Sequence, residues 1–62
     1  MTLAIALFDF KAENADELPF KKGDKIKILS KDSGIAGDGW WAGEANGNQG
    51  VFPIEYVSEL KL

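Results

Sequence analysis

The fold is decided by residues 40–53, whose sequence is WWAGEANGNQGVFP. Asn46-Gly47 separates two short runs, and a two-residue type I′ hairpin turn needs positive φ at both positions, which Asn and Gly tolerate best. Residues 40–45 are therefore predicted to be one strand and residues 49–52 its partner. Pro53 ends the second strand because proline has no N–H to donate to a neighbouring strand.

The sequence outside this hairpin predicts three more short strands and no long amphipathic helix. Residues 3–10 are apolar at both parities, as in a strand covered on both faces. Residues 25–30 alternate polar and apolar side chains, and they follow a turn in which Gly23 can supply a positive φ. Residues 53–56 suit a single 3-10 turn before a last strand at residues 57–61. Five short strands indicate a small antiparallel barrel.

The composition excludes several functional classes. The chain has 62 residues, which allows one small domain, with a net charge of −3 and no histidine or cysteine. Disulfides, a thiolate nucleophile, the usual zinc and iron ligands and the commonest general base are therefore absent. The negative charge argues against binding a phosphate backbone, and no apolar stretch is long enough for a signal peptide or a membrane span. We expect a non-catalytic binding module without a cofactor, without nucleic acid and without membrane insertion.

Four motifs occur in order along the chain. They are Ala6-Leu7-Phe8-Asp9-Phe10, residues 17–24 (ELPFKKGD), Trp40-Trp41, and Gly50-Val51-Phe52-Pro53 followed by Tyr56-Val57. They resemble the ALYDY, E-L-x-F-x-x-G-D, WW and G-x-x-P-x-x-Y-V signatures of the Src-homology-3 (SH3) domain family, over residues 4–61. The resemblance implies an all-β fold, a five-stranded barrel of two orthogonal antiparallel sheets with one 3-10 turn before the last strand. It also implies that residues 1–62 are one domain excised from a larger multidomain protein.

The resemblance implies a function as well, namely the binding of proline-rich (PxxP) segments that carry an Arg or Lys. Such segments adopt the polyproline II conformation, which is already ordered and therefore costs little chain entropy on binding. The RT loop would lie at about residues 10–19, the n-Src loop at about residues 31–39 and the distal hairpin at residues 46–47. The module would act as a monomeric adaptor in cytoplasmic signalling, endocytic or actin-cytoskeletal complexes.

Position by position, the resemblance assigns the ligand groove to five residues. The first proline pocket would lie between Phe8 and Tyr56, and the second would use Phe10, Trp40, Pro53 and Tyr56. Both tyrosines of the ALYDY signature are Phe here, so the groove loses two hydroxyl groups that could bond ligand carbonyls, each worth roughly 1 kcal/mol. Neighbouring strand residues point to opposite faces, so Trp41 is expected to be structural and to pack on the outer surface of the barrel.

The specificity pocket is expected to be acidic. Its candidates are Glu13, Asp16, Glu17, Asp38 and Glu55. The resemblance makes Glu17 the acid that pairs with a ligand Arg or Lys beside Trp40, with Asp16 a second and Glu13 a weaker candidate. Glu55 stands where many family members have Asn, and an ionised carboxylate has no donor for a ligand carbonyl. Glu55 is therefore predicted to select an additional basic residue flanking the proline core.

Several structural positions are also predicted, and three other functions stay open. The predicted core comprises Ala6, Leu18, Phe20, Ile26, Ile28, Phe52 and Val57. Asp9 is expected to be structural, and Gly43 to lie where a side chain would crowd the barrel interior. The open alternatives are nucleic-acid binding through aromatic platforms, a structural role packed against another domain of the parent chain, and ubiquitin binding, which is associated with Phe where this chain has Tyr56.

Overall fold

The computed structural model of the chain describes residues 2–31 and 39–60. Its elements are β1 (Thr2–Ala6), β2 (Lys25–Ser30), β3 (Trp40–Ala45), β4 (Asn48–Pro53), a 3-10 turn (Ile54–Tyr56) and β5 (Val57–Leu60). The pairings between these five strands are antiparallel, and their order β4-β3-β2-β1-β5 links them into one continuous sheet. The all-β class, the strand number and the 3-10 turn before the last strand are confirmed. In the described ranges no helix is long and apolar enough to cross a membrane.

The hairpin between β3 and β4 forms as the sequence predicts. Asn46 has φ 54° and Gly47 has φ 82°, the two positive values that a type I′ turn requires. Ala45 pairs with Asn48 directly across the turn, and the register continues to Trp40 opposite Pro53. This register brings the first tryptophan beside the proline at the far end of the hairpin.

The prediction of a strand over residues 3–10 is wrong, because β1 ends at Ala6. The pairing with β2 reaches only Ile5 opposite Lys25, and the Leu7 N–H donates instead to the Tyr56 carbonyl at 2.7 Å. Leu7 and Phe8 are 40% and 57% exposed, so the apolar run is not covered on both faces. The two aromatic residues of the run, Phe8 and Phe10, therefore lie beyond the end of β1.

All seven predicted core residues are buried. Among residues 2–31 and 39–60, the buried hydrophobic set adds Ala4 and Ala45 to Ala6, Leu18, Phe20, Ile26, Ile28, Phe52 and Val57. The interior accepts no side chain at Gly43, because a Cβ there would lie 2.7 Å from Cε2 of Phe52 and 2.8 Å from the Lys27 carbonyl oxygen. The prediction for Gly43 is thus confirmed, and its absent side chain leaves room for the Phe52 ring.

Candidate functional site

Four aromatic side chains form a continuous surface row, which we call the aromatic row: Phe8, Tyr56, Phe10 and Trp40. Ring centroids are 5.9 Å apart for Phe8 and Tyr56, 5.4 Å for Tyr56 and Phe10, and 6.0 Å for Phe10 and Trp40. The interplanar angles of 79°, 71° and 71° are edge-to-face arrangements, which aromatic quadrupoles favour. Pro53 pairs with Trp40 across the hairpin. The five predicted groove residues therefore lie together.

The backbone fixes the position of the row. The Leu7–Tyr56 hydrogen bond places Phe8 beside the 3-10 turn, and Phe10 and Phe20 exchange backbone hydrogen bonds of 2.8 and 3.0 Å. Phe10 and Tyr56 also pack against the core, whereas Phe8 is more than half exposed. The row is thus anchored on the core at its middle, whereas Phe8 at one end is exposed to solvent.

The two tryptophans have different surroundings. Trp41 is half-buried, pairs with buried Phe52 across the hairpin and packs against the core. The Lys31 ammonium lies 4.8 Å from the centre of its ring and forms an ion pair of 2.8 Å with Glu59. Lys31, at the start of the 31–39 loop, thus contacts both the Trp41 ring and β5, and the packing of Trp41 on the core is consistent with a structural role.

The RT loop rests directly on β4. The Leu18 N–H donates to the Val51 carbonyl at 2.8 Å, and the Val51 N–H donates to the Asp16 carbonyl at 2.9 Å. Gly50 permits this approach, because a Cβ there would lie 2.8 Å from the Asp16 oxygen and from the Glu17 carbonyl carbon. The sequence places Gly50 in a motif, but only the structure shows that the loop backbone occupies the space of its missing side chain.

Glu17 holds the tip of the RT loop through its carboxylate. Its Oε1 accepts a hydrogen bond of 2.8 Å from the Glu13 N–H, and its Oε2 accepts one of 2.9 Å from Nδ2 of Asn14. The Glu13 N–H, followed by the Asn14 amide, holds the pKa of Glu17 below its ordinary value. Sequence reasoning missed Asn14, whose only signal is the general preference of Asn for turns.

The remaining predicted acids are distributed around this loop and the 3-10 turn. Glu13, Asp16 and Glu55 are exposed, and Asp38 lies outside the described residues. Asp9 accepts a hydrogen bond of 2.8 Å from the Lys22 N–H, a contact consistent with the structural role predicted for it. Within residues 2–31 and 39–60, no cluster of acids could hold a metal ion.

A separate cleft of about 690 Å³ lies between the base of the RT loop and the distal hairpin. Lys11, Lys21, Asp9 and Asp24 are its charged residues, so its formal charges sum to zero. Asp24 accepts hydrogen bonds from the Lys21 N–H at 3.0 Å and from Nδ2 of Asn46 at 3.1 Å. These two bonds, the Lys21 N–H foremost, hold the pKa of Asp24 below its ordinary value.

Comparison with known proteins agrees with this architecture. A family model described as SH3 domain matches residues 5–54. The chain is 52% identical over 54 residues to human mitogen-activated protein kinase kinase kinase 11, and 51% identical over 55 residues to the Drosophila melanogaster protein nervous wreck. These matches cover 86% and 89% of the chain but only 6% and 5% of the two relatives. The chain belongs to the SH3 domain family, a class of non-catalytic interaction modules.

Solved structures give the same result. The C-terminal SH3 domain of myosin IB from Entamoeba histolytica, bound to an EhFP10(GEF) peptide, is 44% identical with a TM-score of 0.87, and the match covers 98% of this chain and 85% of that one. The Acanthamoeba myosin I SH3 domain bound to Acan125 is 43% identical with a TM-score of 0.82, covering 94% and 93%.

Proposed function

We propose that this domain binds proline-rich PxxP segments in the polyproline II conformation, and that it acts as an adaptor module without a cofactor. The observation that carries the proposal is the aromatic row, a line of edge-to-face rings anchored on the core and open to solvent. Similar SH3 domains have been solved with a peptide or with Acan125 bound, which supports a peptide as the class of ligand.

The geometry of the row suits such a ligand. A polyproline II helix has three residues per turn, so its ridges can enter successive spaces between flat rings. Phe8 and Tyr56 would hold the first proline unit, and Phe10, Trp40, Pro53 and Tyr56 the second. The Trp40 indole N–H can donate to a ligand carbonyl. Because a short peptide segment buries only a small interface, we expect an affinity of roughly micromolar order.

A basic ligand residue is the second part of the proposal. Glu17 would receive its charge beside Trp40, whose ring face adds a cation–π contact. Asp16 and Glu13 lie on the same loop, and Asp38 would complete the acidic set from the 31–39 loop. Exposed Glu55, adjacent in the chain to Tyr56, would attract a further Lys or Arg that flanks the proline core.

The cellular context of the proposal follows from the relatives. The chain spans 6% and 5% of a protein kinase and of nervous wreck, and similar structures come from myosins. These relatives support our proposal that it is a module of a larger cytoplasmic protein that assembles signalling, endocytic or cytoskeletal complexes, at the cytoskeleton or cell cortex. We further propose that the isolated module is monomeric.

The two tryptophans provide the test. Trp40→Ala should weaken binding of a proline-rich peptide by about 2 kcal/mol, roughly 30-fold, because it removes a central aromatic anchor. Trp41→Ala is the matched control, and it should lower the free energy of unfolding more than the affinity, since it packs on the core. Calorimetric titration and urea denaturation of both variants measure the two quantities. An unchanged affinity in folded Trp40→Ala would remove the aromatic row as the binding site.

A further inference from the structure

The tip of the RT loop is a closed hydrogen-bonded unit of residues 13–17 (ENADE). Besides the two bonds to the Glu17 carboxylate, the Glu17 N–H donates to the Asn14 carbonyl at 3.1 Å. Asn14 therefore bonds Glu17 twice, once through its backbone and once through its side chain. These contacts join residues within one exposed loop, so they order the loop rather than attach it to the core.

The bonds occupy only part of the carboxylate. An ionised carboxylate offers about four acceptor positions, and Oε1 and Oε2 of Glu17 each use one. Two positions remain for a ligand cation, and the oxygens that carry them are already fixed in orientation. The exposed carboxylates of Glu13 and Asp16 accept no hydrogen bond within residues 2–31 and 39–60, so they would have to be ordered on binding.

We infer that Asn14 is a specificity-determining positioning residue, which orients the Glu17 carboxylate toward a basic ligand residue. The preference of the domain for basic ligands then depends on an uncharged side chain that need not touch the ligand. The inference rests on the proposed function and deepens it, because it names what makes one acid of the acidic loop more effective than its neighbours.

Charge and positioning make opposite predictions for one isosteric change. Asn14→Asp adds a negative charge near the ligand cation, so a simple electrostatic effect would strengthen binding of a basic peptide. The same change replaces a donor 2.9 Å from Oε2 with a carboxylate that has none, so it repels Glu17 and frees its side chain. Ala15→Asp is the matched control, since it adds the same charge at an exposed position of the same loop and leaves the Asn14 donor intact.

The experiment measures affinity for two synthetic peptides, a PxxP peptide with one flanking Arg and the same peptide with Ala in place of Arg. Asn14→Asp should reduce the preference for the Arg peptide by about two- to five-fold, the range of an exposed ion pair. Ala15→Asp should leave that preference unchanged or increase it. Both variants should bind the Ala peptide as the original chain does, which shows that the groove is folded.

A ligand-free measurement separates the inference from the proposed function. In Asn14→Ala, NMR titration of the Glu17 side chain should show its pKa raised toward the ordinary value, because one of its two donors is lost. An unchanged Glu17 titration would overturn the positioning role whatever the peptides do. Equal behaviour of Asn14→Asp and Ala15→Asp would overturn it as well. An original chain without any preference for the Arg peptide would instead overturn the proposed basic specificity.

Discussion

Two carboxylates of this domain are bound in the same way in two different regions. Glu17 in the RT loop and Asp24 before β2 each accept one backbone N–H and one Asn side-chain amide. Both pKa values are lowered for that reason. The difference is in sequence distance: Glu17 is three residues from Asn14, whereas Asp24 is 22 residues from Asn46.

This difference in sequence distance predicts different effects on peptide recognition and on the stability of the fold. The bonds of Glu17 close a loop on itself, so breaking them changes what the loop presents to a ligand. The bonds of Asp24 tie the turn before β2 to the distal hairpin, so breaking them loosens contact between elements that are far apart in sequence. We therefore expect changes in the first region to alter mainly affinity and changes in the second to alter mainly the free energy of unfolding.

The largest effect is expected where the RT loop meets β4. Gly50→Ala would place a Cβ 2.8 Å from the backbone of Asp16 and Glu17, which cannot move without lifting the loop. We expect a loss of about 1–3 kcal/mol in the free energy of unfolding, together with weaker peptide binding. Urea denaturation and calorimetric titration measure the two effects.

The cross-strand partner of Gly50 provides the matched control. Gly43→Ala also inserts a Cβ into an occupied space, but against Phe52, Lys27 and Ile26 rather than the RT loop. It should lower stability by a similar amount while the folded fraction binds peptide normally. Equal losses of affinity in both variants would show that the contact between the RT loop and Gly50 has no particular role in binding.

A smaller loss in the free energy of unfolding is expected at the distal hairpin. Asn46→Ala places an alanine at φ 54°, which costs about 1–2 kcal/mol, and it also removes the amide that bonds Asp24. Asn46→Gly removes the same amide without the backbone strain, so it should retain more stability. The difference between the two melting temperatures isolates the strain. Peptide affinity should stay constant in both variants, and a drop in affinity would contradict the separation of the two regions.

The sequence predicts those features that depend on local pattern. The type I′ turn follows from Asn46-Gly47, and the buried face of β2 follows from the alternation of Ile26 and Ile28. The positions of Phe8, Phe10, Trp40 and Tyr56 follow from motifs in the right order, and the structure brings these side chains together. Side-chain type and spacing are sufficient for the turn and for β2, whereas the grouping of the four aromatic residues is what the resemblance to the SH3 family implies.

Features that depend on contacts distant in sequence are not visible in the pattern. The end of β1 at Ala6 depends on where β2 begins, and an apolar run alone does not show it. The space at Gly50 is filled by a loop more than 30 residues earlier in the chain. The bond of Asn46 to Asp24 also joins residues that are remote in sequence, 22 positions apart. Even the Asn14–Glu17 bond escapes prediction, since many loop conformations of ENADE would not form it.

The smallest expected effect is on how the free energy of unfolding depends on pH. This dependence also distinguishes the two carboxylates from each other. A carboxylate with a lowered pKa in the folded state stabilises the fold fully above its unfolded pKa, and this contribution is lost as the pH falls through the folded pKa. The ordinary values are 4.5 for Glu17 and 3.8 for Asp24, so neither group should change stability between pH 7 and pH 5. Below these values the free energy of unfolding should decline.

Two substitutions assign that decline to the two regions. Asp24→Asn should lower stability near neutral pH and make its acid decline shallower, while the affinity for a basic proline-rich peptide keeps its original pH dependence. Glu17→Gln should reduce the acid-dependent part of the preference for the Arg peptide, because protonation of Glu17 no longer occurs. Denaturation and peptide titration between pH 3 and pH 7 measure both. If Asp24→Asn altered the peptide preference and Glu17→Gln did not, the two carboxylates would have the reverse of the roles argued from their hydrogen-bond partners. The sequence distance between bonded residues would then not distinguish residues that affect recognition from residues that affect stability in this fold.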